Sequence, residues 1–499
     1  MRRITSIGPT PLDYENSGIT SLDKQFPKSQ TASVVDLQPT LPPIEEYQRP
    51  ADWLPLPVVH SYDNKFCGLF AIFDNDSNVV NIQVNKNFVV DWGDGTGNHN
   101  YSANAIARHV YDFAAMDNST LTSRGYKQSV ITVTPATGGF SSYLNVCILD
   151  AVIVKNSVNW LDISMAGAAI NTFPLAYYGG NGRLPFLEQI KIGQNNITNW
   201  QNQFFYCTNL RKVDIDTHKA TCINGMFLGC WNIQTIPDID IDAQNLSPSS
   251  INDVFSDCTA LQHLPWIDTS TAQGMSRLAA GTLITELPNY DISNLTALYQ
   301  AFWYNKWLST VSWNLNKIQD WAYAFTGCYS LRSLTLDLSN ASTMGFDQTL
   351  KNSISLERLT ITGTDSNWNA FNWLQDSGLE YVPFVSTVYS NTPGGIFVGT
   401  PNLKVLPELS FPAATSLQNS FYATSAPTVK ISAPNVTDAS QICAYSQIQH
   451  ANLDLPSATT IQYAFIQNYV LLDVKLNLTT TLTNAIFAIV LIEFTSAVP

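Results

Sequence analysis

Six histidines are available for acid–base or metal chemistry, His60, His99, His109, His218, His263 and His450, and they are scattered along the chain. None stands in an H-E-x-x-H pair, no G-x-S-x-G elbow or G-x-x-x-x-G-K-[ST] loop occurs, and no glycine-rich turn follows a strand in a βαβ setting. Asp74-Asn75-Asp76-Ser77-Asn78 opens like a calcium loop but lacks the central Gly and the distant bidentate Glu, so a plain Asx turn accounts for it. No catalytic residue, metal ligand or cofactor is expected.

Binding chemistry is better represented. Trp303, Tyr304, Trp307, Trp313, Trp321, Trp368 and Trp373 exceed what a repeat core demands, and Asn367-Trp368-Asn369 reads as exposed. Indole beside amide suits a sugar, which takes stacking and hydrogen bonds together, and it also suits a protein interface. Trp303, Tyr304, Trp307, Trp368 and Trp373 are therefore the candidate contact residues, although some of these rings are needed to fill gaps between repeats.

The eight cysteines, Cys67, Cys147, Cys207, Cys222, Cys230, Cys258, Cys328 and Cys443, form no C-x-x-C pair or tight framework. They read as reduced, buried small hydrophobes. Cys207, Cys230, Cys258 and Cys328 share one position in a repeat, where sister units place Gly281, Asn305 and Ser353, so size and burial explain them better than reactivity.

That repeat is the main positioning element. Aligned on F-x-x-C-x-x-L-x-x-L, units begin at Phe204, Phe227, Phe255, Leu278, Phe302 and Phe325, spaced by 23, 28, 23, 24 and 23 residues. Others begin at Leu350, Phe397, Ile442 and Phe465, with weaker ones near Phe371, Phe421 and Ile486. Between them recurs an Asp-x-Ser or Pro-Ala/Ser-Ala-Thr turn. One unit cannot bury its own apolar faces, whereas stacked neighbours make a continuous core. A solenoid over 155–499 is expected, with Leu210, Leu261, Leu331, Leu403 and Leu471 pointing inward.

Ahead of it, 58–154 contains short alternating runs, including Leu69–Phe73, Val79–Val84, Phe88–Trp92 and Val130–Thr134, that predict a small sandwich and a connection. Residues 1–57 are rich in Pro, Ser, Thr and Gln and lack a core of their own, which predicts an extended arm. Its Tyr47, Trp53, Leu54 and Leu56 are expected to anchor the chain on a neighbouring subunit. The fold class is thus mainly β: extended arm, small immunoglobulin-like sandwich, leucine-rich-repeat-like solenoid of about 23-residue units.

Val90-Asp91-Trp92-Gly93-Asp94-Gly95-Thr96 followed by Arg108-His109-Val110-Tyr111 resembles the PKD type of immunoglobulin-like domain, which implies a spacer or adhesive module. The Phe/Cys/Leu/Leu-Pro spacing resembles the BspA-type leucine-rich repeats of bacterial surface proteins. The order of arm, VDWGDGT domain and repeats resembles structural proteins of tailed bacteriophages. That resemblance implies a virion protein (of tail, fibre or capsid decoration) assembled in the host cytoplasm, with other virion proteins as partners, an oligomeric assembly, and a host surface protein or glycan as ligand. The alternative is a bacterial cell-surface adhesin or interaction protein.

Charge and hydropathy narrow these classes. A net charge of -14 and the absence of a basic run argue against nucleic acid. No apolar h-region follows Arg2-Arg3, so no signal peptide is expected, and the longest apolar run, 485–494, is too short to span a membrane. With charged residues at only 13%, the surface must be largely neutral and polar.

Overall fold

The computed structural model describes residues 41–150, 157–175, 183–337, 339–340, 347–362, 372–382, 394–479 and 481–484. The chain divides into two compact units, Met1–Pro43 and Ile44–Pro499, and every element below lies in the second. Of the expected arm, 1–40 lies outside the described residues. Among the described residues there is no α-helix, and only two single 3-10 turns interrupt strands and tight turns.

The first seven strands are β1 (Lys65–Ile72), β2 (Val79–Val84), β3 (Phe88–Asp91), β4 (Asn98–Tyr101), β5 (Ile106–Val110), β6 (Lys127–Pro135) and β7 (Leu144–Asn145). β2 lies between β5 and β7 in one antiparallel sheet. The other sheet contains β1, β6, β3 and β4 and continues through β8 (Trp160–Ala166), β9 (Gln189–Ile192) and β10 (Lys212–Ile215), in the order β10-β9-β8-β1-β6-β3-β4. β8 is antiparallel to β1 on one side and parallel to β9 on the other. It is therefore both the last strand of the sandwich and the first rung of the solenoid.

The two faces of β1 explain its almost uninterrupted apolar sequence. Phe66, Phe70 and Ile72 enter the main core, where the Trp160 ring meets Phe66 and Phe70 edge-on at 5.3 and 5.1 Å. A Cβ at Gly68 would lie 2.4 Å from that indole, so the small residue is required by space. Leu69 and Ala71 face the other way, against Trp53, Leu54 and Leu56, and Cys67 joins Val59 there.

Of the expected anchor residues, Trp53, Leu54 and Leu56 pack on the chain's own sheet, and Tyr47 reaches Glu188. Trp53 is buried, donates its indole N–H to the Tyr126 hydroxyl at 2.9 Å, and has the Arg49 and Arg124 guanidinium groups over its ring at 5.3 and 5.7 Å. Arg49 pairs with the buried Asp162 at 2.8 Å and donates to the Trp53 and Leu54 carbonyls. The half-buried Tyr47 donates to Glu188 at 3.3 Å. A proline-rich strap gains about 1.5–3 kcal/mol per large apolar side chain by such docking, before ordering costs.

Beyond β10 the chain coils in parallel register. β11 (Ser333–Asp337) pairs with β12 (Arg358–Thr362), and β13 (Leu409–Ser410), β14 (Thr428–Ser432), β15 (His450–Asp454) and β16 (Asp473–Asn477) form a four-stranded sheet in chain order. Isolated parallel bridges join further coils, as from Ala297 to Asp320, and add a second line of pairing beside the strands, as from Asp438 to Thr460. Leu210, Leu261, Leu331 and Leu403 are fully buried and Leu471 is 5% exposed, as the repeat predicts.

Polar side chains also stitch coil to coil. Asn232 donates to the Thr208 carbonyl, Asn294 to Ser270, Asn340 to Asn316 and Asn435 to Pro412, each roughly one unit back. Thr437 donates to the Thr415 carbonyl, Thr459 to Thr437 and Thr483 to Thr459. The amide ladder satisfies backbone acceptors that the short strands leave open, and the hydroxyls add a further donor to carbonyls that already accept a backbone N–H, which gives the Asn- and Thr-rich, charge-poor composition a structural cause.

Candidate ligand face on the solenoid

The turn around each repeat Phe has its own geometry. Residues two before and two after it have positive φ: Asn202 and Tyr206, Asp253 and Asp257, Gln300 and Tyr304, Asn419 and Ala423, with Gly225/Gly229 and Gly395/Gly399 in sister coils. Their backbone N–H groups donate to the next coil: Gln300 to the Ala322 carbonyl, Phe302 to Ala324 and Tyr304 to Thr326, at 2.9, 3.0 and 2.7 Å. Alternating left-handed residues turn every second N–H the same way, so this face carries a second ladder without regular strand.

The same turn fixes the role of the repeated cysteine. Cys230 donates its thiol to the Phe204 carbonyl at 3.1 Å, Cys258 to Phe227 at 3.1 Å and Cys328 to Phe302 at 3.3 Å. Ser353 and Asn305 make the equivalent bond to Phe325 and Ala279. All eight cysteines are free of disulfides, and only Cys222 is not buried. Burial pushes the Cys207 thiol up to about 12 and likewise raises those of Cys230, Cys258 and Cys328, so they are poor nucleophiles.

This register corrects two alignments. With positive φ at Arg277 and Gly281, the unit expected at Leu278/Gly281 is centred on Ala279, with Thr282 as its small polar residue. With positive φ at Gln441 and Tyr445, the unit expected at Ile442/Tyr445 is centred on Cys443, with Ser446 donating back to its carbonyl. Phe stacking, 5.2 Å between Phe204 and Phe227 and 5.6 Å between Phe302 and Phe325, is interrupted at Ala279. Trp313, 5.7 Å from the Phe302 ring, helps fill that neighbourhood.

Side chains of the turn face outward, and here the candidate residues separate. Trp303 and Trp307 are half-buried and Tyr304 is 37% exposed. Trp373 is corrected to a core residue because its ring is fully buried. Trp368 lies outside the described residues. Trp303 and Tyr304 stand perpendicular at 4.7 Å, and Arg277 lies over Trp303 at 6.0 Å.

Residues not anticipated complete the patch. Arg277 bonds Asp253 at 2.8 Å, approaches Asp257 at 3.8 Å, and donates to Gln300 and Ser256. Burial raises the Asp253 carboxyl above its usual range and Arg277 opposes the shift. Tyr299 and Tyr323 meet at 6.1 Å, and Tyr323 donates to Asp347 at 3.0 Å. The sequence signal for these residues is the pair of positions flanking each repeat Phe, where Gly, Asn, Asp, Gln and Tyr alternate. Further aromatics mark the same face at Tyr206 with Trp231 and at Tyr422 with Tyr445.

The other polar clusters are structural. His109 stacks on Trp92 at 4.9 Å and binds Asp94 at 3.0 Å, while the Trp92 carbonyl accepts from Tyr111 and Ser129, both at 2.6 Å. Desolvation lowers the His109 pKa against the pull of Asp94. In the Asx turn, Asn75 accepts from Ser77 and Asn78 from Phe73. Among the described residues no cluster of His, Cys, Asp or Glu could hold a metal, and no helix is long and apolar enough to cross a membrane.

No curated protein matches the chain. A family model described as "BspA type Leucine rich repeat region" matches in six copies, over 184–262 and 282–376. The gap between the two stretches contains the atypical turn centred on Ala279, where the Phe is replaced. Over these two stretches the coils of the solenoid are thus similar to BspA-type leucine-rich repeats.

Proposed function

We propose that the chain is a non-enzymatic structural and adhesive protein of a phage virion, in which a PKD-like sandwich carries the solenoid and the aromatic turn face meets a protein or glycan. The observation that carries this reading is the outward cluster of Trp303, Tyr304, Tyr299 and Tyr323 on a scaffold whose thiols and motif histidine are spent on packing. The carboxylates of Asp253 and Asp257 on this face are both engaged by a single guanidinium, that of Arg277. The PKD-like assignment draws support from Trp92, Asp94, His109 and Tyr111, which form one connected unit.

The virion setting draws support from the order of the modules and from eight thiols without a disulfide, a state that suits assembly in a reducing cytoplasm. Its partners would be other virion proteins, in an oligomeric assembly. A bacterial cell-surface adhesin would use the same face, and the BspA-type repeats fit it equally well. Immunogold microscopy with an antibody to the full chain separates the two. Regular labelling of purified particles is expected, and labelling confined to the envelope of growing bacteria would overturn the virion assignment.

A further inference from the structure

We infer that the turn face around Tyr304 is a binding site for a neutral glycan, with one pyranose ring stacked on the Tyr304/Trp303 pair and its hydroxyls held by the Asp253–Arg277–Gln300 row. The inference rests on the reading of this face as a contact surface and names its ligand.

Tyr304 occupies a left-handed position, φ 54°, where bulky residues are disfavoured by roughly 1–2 kcal/mol. Sister coils place Gly229, Gly281, Gly327 and Gly399 at the equivalent position, and Tyr206 and Tyr445 share it with Tyr304. Its neighbours in the column are glycines on both sides: Gly281 donates to the Trp303 carbonyl one coil on, and a Cβ at Gly327 would lie 2.9 Å from the Tyr304 ring. The ring therefore packs beside Gly327. Tyr304 remains 37% exposed.

The surroundings select the ligand. Arg277, Gln300, Asp253 and Asp257 offer planar donors and acceptors beside two rings, the complement of a sugar with an apolar C–H face and a rim of hydroxyls. Arg277 is balanced by Asp253 and Asp257, so this row offers no free cation for a sialic or uronic acid.

The test screens the full-length chain against a panel of neutral oligosaccharides built from glucose, galactose, mannose and N-acetylglucosamine, with acidic glycans alongside. Binding to at least one neutral member is expected, weakened about tenfold or more by Tyr304→Ala and by Trp303→Ala and unchanged by Tyr469→Ala on a distant turn. Ala423 and Ala280 occupy the equivalent positions in other coils, so both substitutions are compatible with the fold. No neutral binding, stronger acidic binding, or indifference to Tyr304→Ala would overturn the inference. Saturable, glycan-independent binding to a surface protein would overturn it while leaving the contact-surface reading intact.

Discussion

A thiol, a hydroxyl and an amide serve one purpose at the third residue after the repeat Phe, to donate to the carbonyl one coil back. Cys258→Ser should accordingly cost little, about 1 kcal/mol or less, whereas Cys258→Val removes one of the Phe227 carbonyl's two donors, leaving the Cys230 N–H, and crowds the site with a branched side chain, and should cost about 1–3 kcal/mol in chemical denaturation. In the native state Cys222 should be the first thiol to react with a thiol-specific reagent, because the other seven are buried. A rapid reaction of several thiols, or a disulfide found in the unreduced protein, would contradict both points. The repeat period and its inward leucines were legible because large residues recur at fixed spacing. The registers at Ala279 and Cys443 were not, because the nearest large residue misled the alignment. Only the paired left-handed positions define the turn, and several are Tyr, Gln or Arg, types that do not announce positive φ.

At the scale of elements, the strap at Ile44–Val59 shows why apolar anchors cannot name their partner from sequence. Pro-flanked Trp and Leu predict docking, and the receiving surface is set by β1, whose Leu69 and Ala71 alternate onto its outer face. Arg49 and Asp162 then fix the register of the strap. Arg49→Ala strands a carboxylate whose side chain is 3% exposed, so it should destabilise the protein by several kcal/mol. Arg49→Ala/Asp162→Asn should recover much of that loss, because the buried charge is gone. The pH dependence has a definite sign. Burial already raises the Asp162 carboxyl despite Arg49, so without Arg49 the folded state favours the protonated acid. Stability of the single variant should then fall as pH rises from the ordinary carboxylate range through the raised pKa, and the double variant should lose this dependence. Equal stability of the two variants across that range would show that the pair does not hold the strap.

At the scale of the whole molecule, β8 decides whether sandwich and solenoid are separable. Sequence periodicity changes near residue 155, which invites a boundary there, yet β1 hydrogen-bonds to β6 on one side and β8 on the other. Trp160 of β8 also completes the sandwich core against Phe66 and Phe70. A repeat stack needs a cap at its first coil, and here the sandwich sheet supplies it through the parallel pairing of β8 with β9. Cutting at 154 would expose the edge of β1, leave a void where the indole sat, and open the first coil of the stack. A fragment of residues 58–154 should therefore be aggregated or loosely packed, lacking near-ultraviolet circular dichroism and dispersed NMR signals. A fragment of 44–175, which keeps the strap, β8 and Trp160, should be more ordered, with only the far edge of β8 unpaired. The full chain should unfold with sandwich and first coils coupled in one transition. Sharp, dispersed spectra from 58–154 alone would mean that the shared sheet is a contact between independent domains, and the solenoid would then need another cap.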